Sequence, residues 1–139
     1  MVAVWRVKKV VVDTDILIGH VVHTDASEAS DLRRLLGMFF CYTTVFNAIE
    51  SFGLCRTDAE RTAIERSMNA LKILGLNAKS GKNLGTLFSS YPKRDGLHLL
   101  IAGVCLESKL PLITGRKRLF QGIPGIKVLS PRQAFQSPT

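Results

Sequence analysis

The chain has 139 residues, of which 46% are hydrophobic, so it can form one domain with a buried core and is not a disordered protein. No apolar stretch approaches the ~20 residues of a membrane-spanning helix, and we expect no secretory signal at the N-terminus. The net charge of +8 and the isoelectric point of about 9.8 favour a polyanionic partner such as nucleic acid, although a basic surface can also serve solubility alone.

The first half of the chain alternates predicted strands and helices. Short apolar runs indicate strands, and apolar residues at helical spacing behind Ser, Thr or Asp caps indicate helices. We predict, in chain order, a strand over 8–13, a short helix from 16, a helix over 25–36 capped by Thr24, a strand over 39–42, a helix capped by Thr43 and Thr44, and a helix from the capping box at 57–60 to about 74.

The second half continues the alternation. We predict a helix over 81–89, a strongly apolar helix over 96–108, a buried strand over 110–114 and an edge strand over 126–129. Strands that alternate with helices indicate an α/β fold with a mostly parallel sheet between helical layers. Without a linker or repeat, we expect a single domain over 1–135 and a short tail over 136–139.

Two acidic positions point to a site. Asp13 and Asp15 follow the apolar run at 10–12, and sites in open α/β sheets form at the carboxyl ends of strands, so the pair suggests a divalent cation. A helix cap is the alternative, because Asp and Thr are good N-caps. Glu50 lies in an otherwise apolar helix, where a buried carboxylate needs a partner such as a cation. An exposed Glu50 on a polar strip of that helix is the alternative.

Four segments of the chain resemble the PIN-domain nucleases, and within them the VapC-type toxins: VVVDTDILI, TTVFNAIE, LLIAGVCLESKLPLIT and LFQGIPGIKVLSP. The resemblance covers almost the whole chain. It implies a three-layer α/β/α sandwich and a cytoplasmic ribonuclease that cleaves RNA with Mg²⁺ or Mn²⁺ held by clustered carboxylates. It also implies an antitoxin as partner.

The resemblance assigns roles to individual residues. Asp13 matches the first family acid and Glu50 the second, and Asp95 is the candidate for the third. In an ungapped alignment His98 takes the place of that third acid, and Arg116 falls on a fourth position that is often Asp or Asn. The predicted catalytic and metal-binding residues are therefore Asp13, Glu50 and Asp95, with Thr14, Asp15, His98, Thr114 and Arg116 lining the site.

These departures leave two interpretations open. Mg²⁺ prefers oxygen ligands, so His98 suits Mn²⁺ better, and Arg116 would either repel a cation or clamp a phosphate. The first interpretation is a metal-dependent ribonuclease, and the alternative is a catalytically degenerate PIN scaffold that binds RNA or a protein. A haloacid-dehalogenase-like phosphatase is disfavoured because Gly-Arg-Lys-Arg follows Thr114 where that class needs acids. The candidates for holding an RNA backbone are Arg94, Arg116, Lys117 and Arg118.

Two further expectations concern partners and cysteines. Leu32, Leu35, Leu36 and Phe40 could form a homodimer face, and core packing explains them equally well. The three cysteines are odd in number and lie in apolar contexts, so we expect free thiols in a reducing compartment.

Overall fold

A computed structural model describes residues 8–23 and 26–136, and its centre is an all-parallel sheet. Its strands are β1 Lys9–Val12, β2 Phe40–Thr44, β3 Lys72–Leu74, β4 Leu112–Ile113 and β5 Val128–Leu129. They lie in the order β3-β2-β1-β4-β5, so β1 is central and β5 lies at an edge. The predicted parallel α/β architecture is confirmed.

Helices cover both faces of the sheet. They are α1 Thr14–Val21, α2 Asp31–Met38, α3 Val45–Leu54, α4 Asp58–Asn69, α5 Ser80–Ser90, α6 Gly96–Ser108 and α7 Pro131–Gln136, with a 3₁₀ helix over Lys117–Phe120. Side chains alternate between faces along a strand. Val10 and Val12 therefore join a core cluster with α1, α2 and α4, whereas Val11 joins a second cluster with α6 and the 3₁₀ helix. These two cores make the α/β/α sandwich.

Local capping explains several helix starts. The Thr44 side chain accepts from the amide of Asn47, whose side chain in turn accepts from the Thr44 amide, and the same reciprocal pattern joins Thr57 and Glu60. Such capping boxes satisfy two free amides at each helix end. The predicted helix starts at these two positions are confirmed.

Other boundaries differ from the prediction. The helix expected over 25–36 begins at Asp31, because the Ser30 side chain caps it by accepting from the amide of Arg33. Thr24 and the expected first residue, 25, lie outside the described residues. The helix expected to reach about 74 ends at Asn69, since Lys72–Leu74 pairs with β2 instead. The 3₁₀ helix and α7 were not predicted, and residue 136 of the expected tail belongs to α7.

Two of the four residues proposed for a homodimer face are buried in the core. Leu32 and Leu35 are 1% and 0% exposed and belong to the core, so the suggestion that they contact a second copy is wrong, whereas Leu36 and Phe40 are exposed. Cys41, Cys55 and Cys105 are free thiols, as predicted. No helix in the described ranges is long and apolar enough to span a membrane.

Candidate functional site

Asp13 is held at the carboxyl end of β1 by the backbone on both sides. Its amide donates to the carbonyl of Ile113 on β4 (3.0 Å), and its carboxylate caps α1 by accepting from the amide of Thr14 (2.8 Å). The residue is fully buried. Both expectations for Asp13, a strand-end carboxylate and a helix cap, describe its position.

Neutral side chains from two neighbouring elements also donate to Asp13. Asn47 on α3 donates its side-chain amide to Oδ1 (2.9 Å), and the hydroxyl of Thr114 after β4 donates to Oδ2 (2.7 Å). Sequence analysis did not single out Asn47. A signal was present, because residues 47 and 50 are one helical turn apart and therefore share the face that carries Glu50.

The guanidinium of Arg116 lies between Asp13 and Glu50 and bonds to both. Nε and Nη2 donate to Asp13 Oδ2 and Oδ1 (2.7 and 3.0 Å), and Nη1 and Nη2 donate to Glu50 Oε2 and Oε1 (3.1 and 2.6 Å). The side chains of Arg116 and Glu50 are 26% and 15% exposed. Paired bonds from one planar guanidinium to two carboxylates are among the strongest charge-assisted contacts. We call this arrangement the closed acidic pair.

The contacts within the closed acidic pair stabilise the ionised forms of Glu50 and Arg116. Burial raises the pKa of Glu50, but the hydrogen bonds and charge of Arg116 outweigh it, and the net result is a pKa below the ordinary value. Burial lowers the pKa of Arg116, and the bonds to Asp13 and Glu50 outweigh it, so the net shift is upward. Glu50 and Arg116 therefore stay ionised at neutral pH.

Asp15 supports the loop that carries Arg116. Its Oδ2 accepts from the amide of Gly115 (2.7 Å), and the Thr114 hydroxyl accepts from the amide of Arg116 (3.0 Å). Burial, followed by the negative charge of Asp13, raises the pKa of Asp15 above its ordinary value. A Cβ at Gly115 would lie 2.8 Å from Asp15 Oδ2, so a larger residue there would displace the Asp15 carboxylate.

His98, and not Asp95, reaches the closed acidic pair. Asp95 caps α6 by accepting from the amides of Leu97 and His98 (2.9 and 3.3 Å), and its side chain is 61% exposed. His98 Nε2 lies 3.4 Å from Glu50 Oε2, while its Nδ1 lies 3.8 Å from Asp95. Asp95 therefore serves as a helix cap in this structure, and its role as a third ligand beside Asp13 and Glu50 stays a prediction.

No protein-family model matches the sequence, and no curated protein matches it. Solved structures do match in three dimensions. A chain of DNA-bound VapBC from Salmonella typhimurium is similar with a TM-score of 0.74 at 17% identity, covering 89% of this chain and 98% of that one. A chain of VapBC2 from Rickettsia felis bound to a promoter DNA fragment gives 0.73 at 17%, covering 88% and 98%. A chain of a toxin-antitoxin complex from Klebsiella pneumoniae gives 0.66 at 21%, covering 88% and 97%.

The chain has a PIN-like fold. Because the identities are low, these likenesses show the fold alone, and the chemistry must be judged from this chain's own residues. The three-layer sandwich implied by the four sequence segments is confirmed.

The metal site expected for a PIN-like fold does not fit the residues as they are placed. Across residues 8–23 and 26–136, no group of three or more His, Cys, Asp or Glu side chains is placed to hold a metal ion. Both oxygens of Asp13 and both oxygens of Glu50 accept from Arg116. A divalent ion at this point would meet a guanidinium of like charge and would find no free carboxylate oxygen from either residue. The predicted Mg²⁺ or Mn²⁺ set of Asp13, Glu50 and Asp95 is thus not assembled by the described residues as they are placed.

The predicted RNA-contacting cations in this PIN-like fold have different roles. Arg94 donates to the carbonyls of Leu119 (3.0 Å) and Gln121, and Arg116 belongs to the closed acidic pair, so both hold the fold together. Lys117 donates to the side chain of Gln133 (3.0 Å). Arg118 is exposed. Arg94 and Arg116 thus have internal partners in this structure, and contact with an RNA backbone stays a prediction for all four residues.

Proposed function

We propose that this protein is a non-catalytic PIN-fold binding protein, related to the toxins of toxin-antitoxin pairs, that engages a protein partner and does not cleave RNA. The observation that carries the proposal is the closed acidic pair, in which Arg116 donates four hydrogen bonds to Asp13 and Glu50. The guanidinium of Arg116 thus takes the place between the carboxylates where a PIN nuclease would need a bound metal ion.

Two substitutions relative to the family pattern support this proposal. His98 stands where the family commonly has its third acid, and Arg116 stands where it often has Asp or Asn. Both replacements contact Glu50, and Arg116 also contacts Asp13. Replacing two oxygen ligands by an imidazole and a guanidinium removes negative charge from the site and adds a fixed positive charge, which weakens binding of a hard divalent cation.

An apolar face on α3 supports a protein partner. Val45 and Ile49, four residues apart, lie on one side of the helix and are 37% and 57% exposed. Exposed apolar side chains that lie together commonly mark protein interfaces. The structures that share the fold include toxin-antitoxin complexes. An antitoxin-like protein or a second copy of this chain is thus the expected partner class.

The second candidate function is a Mg²⁺- or Mn²⁺-dependent endoribonuclease. One observation favours it: Asp13 and Glu50, from different elements, converge on a single cation at the carboxyl edge of the sheet. For this candidate to act, the Arg116 side chain must leave both carboxylates.

Calorimetric titration with Mn²⁺ and a cleavage assay on structured RNA separate the two functions. We expect no Mn²⁺ binding and no metal-dependent cleavage from the wild type or from Arg118→Asn, the matched control in the same basic block. The double variant Arg116→Asn/His98→Asp, which restores oxygen ligands, should bind Mn²⁺. Metal-dependent cleavage by the wild type that is lost in Asp13→Asn would establish the ribonuclease and overturn the proposal.

The binding half of the proposal has its own test. Multi-angle light scattering should show that Ile49→Lys weakens self-association or partner binding, because a charge then lies in the α3 face. Val22→Lys is a control, since Val22 is 63% exposed on a different helix end. Equal effects of the two substitutions would remove the α3 face as an interface.

A further inference from the structure

A cavity of about 310 Å³ lies at the amino-terminal edge of the sheet, opposite the edge that carries Asp13. Lys8, Lys9, Lys109 and Lys127 line it, and no acidic residue of the described chain does. We call it the lysine cavity. It is separate from the closed acidic pair, so its chemistry needs an explanation of its own.

The parallel topology brings these lysines together. Lys9 begins β1, Lys127 directly precedes β5, and Lys109 ends α6 shortly before β4. Strands β1, β4 and β5 are neighbours, so their starts share one edge of the sheet. Lys109 has a positive φ of 58°, which turns the chain sharply from the helix toward the strand. Residues far apart in sequence thus form one cationic rim.

The charges of Lys9, Lys109 and Lys127 carry the argument for a ligand. Lys9, Lys109 and Lys127 are exposed, and in the described ranges none of the three forms an ion pair with a carboxylate. Three or more like charges around one cavity repel each other, and a ligand with at least two negative charges would relieve that repulsion.

The inner wall of the cavity is apolar. Phe39, Pro111 and Leu129 are partly exposed and can contact a ligand, whereas Val10 and Ile113, which also line the cavity, are buried. The volume is at the small end of the range for ligand sites. An anionic ligand that also has a compact, largely apolar part would match both the rim and the wall. Lysine ammonium groups bind phosphate as point charges, whereas carboxylate recognition more often uses the arginine fork.

We propose that the lysine cavity binds a nucleoside phosphate, with the phosphates at Lys9, Lys109 and Lys127 and the base and sugar against the apolar wall. The nucleoside phosphate can be a free nucleotide or the phosphorylated end of an RNA. This site goes beyond the proposed function, because it needs neither the closed acidic pair nor a metal.

The test is a calorimetric titration with ATP in EDTA at low salt, with methyl NMR to locate the ligand. Wild-type protein should bind ATP and shift the methyl signals of Val10, Ile113 and Leu129. Lys9→Gln/Lys127→Gln should weaken binding about a hundredfold, because two charge-assisted bonds are lost and each is worth about one order of magnitude. The matched control Lys72→Gln/Lys82→Gln removes two exposed lysines from β3 and α5 and should change affinity less than about twofold. Urea unfolding verifies that both variants are folded.

Two RNA probes distinguish the sources of the ligand. Tighter binding of a 5′-phosphorylated RNA decamer than of its 5′-hydroxyl form assigns the site to RNA ends, and binding of ATP without that preference assigns it to free nucleotides. The proposal is overturned if the wild type fails to bind ATP at millimolar concentration. The proposal is also overturned if the two double variants lose the same amount of ATP affinity. A glutamate peptide that displaces bound nucleotide as effectively as free ATP overturns it as well.

Discussion

Replacing Arg116 by methionine tests whether the closed acidic pair stabilises the fold. The substitution retains an unbranched side chain and removes the guanidinium from Asp13 and Glu50. Loss of one partner of a buried ion pair costs about 3–5 kcal/mol of unfolding free energy. The lower end applies here, because Arg116 is 26% exposed and Asp13 keeps the neutral donors of Thr14, Asn47 and Thr114. We expect Arg116→Met to lower stability by about 3 kcal/mol at pH 7.

Urea unfolding followed by circular dichroism in EDTA measures this loss as a lower midpoint with an unchanged slope. The matched control is Arg118→Met, which removes the same charge from an exposed position and should stay within about 0.5 kcal/mol of wild type. Adding Mn²⁺ should leave the wild type unchanged. If Mn²⁺ enters the vacated position in Arg116→Met, a concentration of 100 times its dissociation constant would restore about 2.7 kcal/mol.

A double-mutant cycle with Asp13→Asn makes the test specific to the pair. The structure predicts that Asp13→Asn alone is destabilising, because Asp13 is paired with Arg116. The loss in Asp13→Asn/Arg116→Met should be smaller than the sum of the single losses. A strictly additive cycle, or an Arg116→Met midpoint equal to that of Arg118→Met, would refute the closed acidic pair as a stabilising contact.

Glu50→Gln should remove part of the acid sensitivity of the fold. The pKa of the Glu50 carboxyl is lowered from its ordinary 4.5. The ionised carboxylate therefore stabilises the fold fully above pH 4.5, and this stabilisation is lost as the pH falls through the lowered pKa. Denaturation from pH 7 to 3 should show the gap between wild type and variant closing below about pH 4.5. Gly115→Ala should lower the free energy of unfolding by about 1–3 kcal/mol, because the new Cβ displaces the Asp15 carboxylate. Gly85→Ala should raise it by about 0.5–1 kcal/mol, because a Cβ at this position inside α5 meets nothing within 4 Å. Thermal unfolding measures both changes. Asp95→Ala should lower stability by about 1 kcal/mol, while Asp95→Asn stays near wild type and neither changes Mn²⁺ titration. An Asp95→Asn variant as unstable as Asp95→Ala would contradict the role of Asp95 as a cap.

Much of the fold followed from local patterns. The apolar run before Asp13, the capping boxes at Thr44 and Thr57, and the apolar length of α6 each predict their element without knowledge of the rest of the chain. Strand β3 was missed, because a three-residue segment has too few positions for its period to be read and depends on pairing with β2. The start of α2 was placed too early, since Ser30 competes with other polar residues as a cap.

The sequence by itself determined the α/β alternation and the presence of carboxylates at Asp13 and Glu50, because strand-end and helix positions depend on near neighbours. The resemblance to the PIN-domain nucleases further implied that His98 stands where that family has its third acid and that Arg116 stands where it often has Asp or Asn. Only the tertiary structure decided that Arg116, over 100 residues after Asp13, lies between the two carboxylates, and that Asp95 caps a helix away from them. Such contacts depend on how β1, β4 and α3 meet in three dimensions, and hydrogen bonds of a few ångströms between distant residues leave no periodic trace in the sequence.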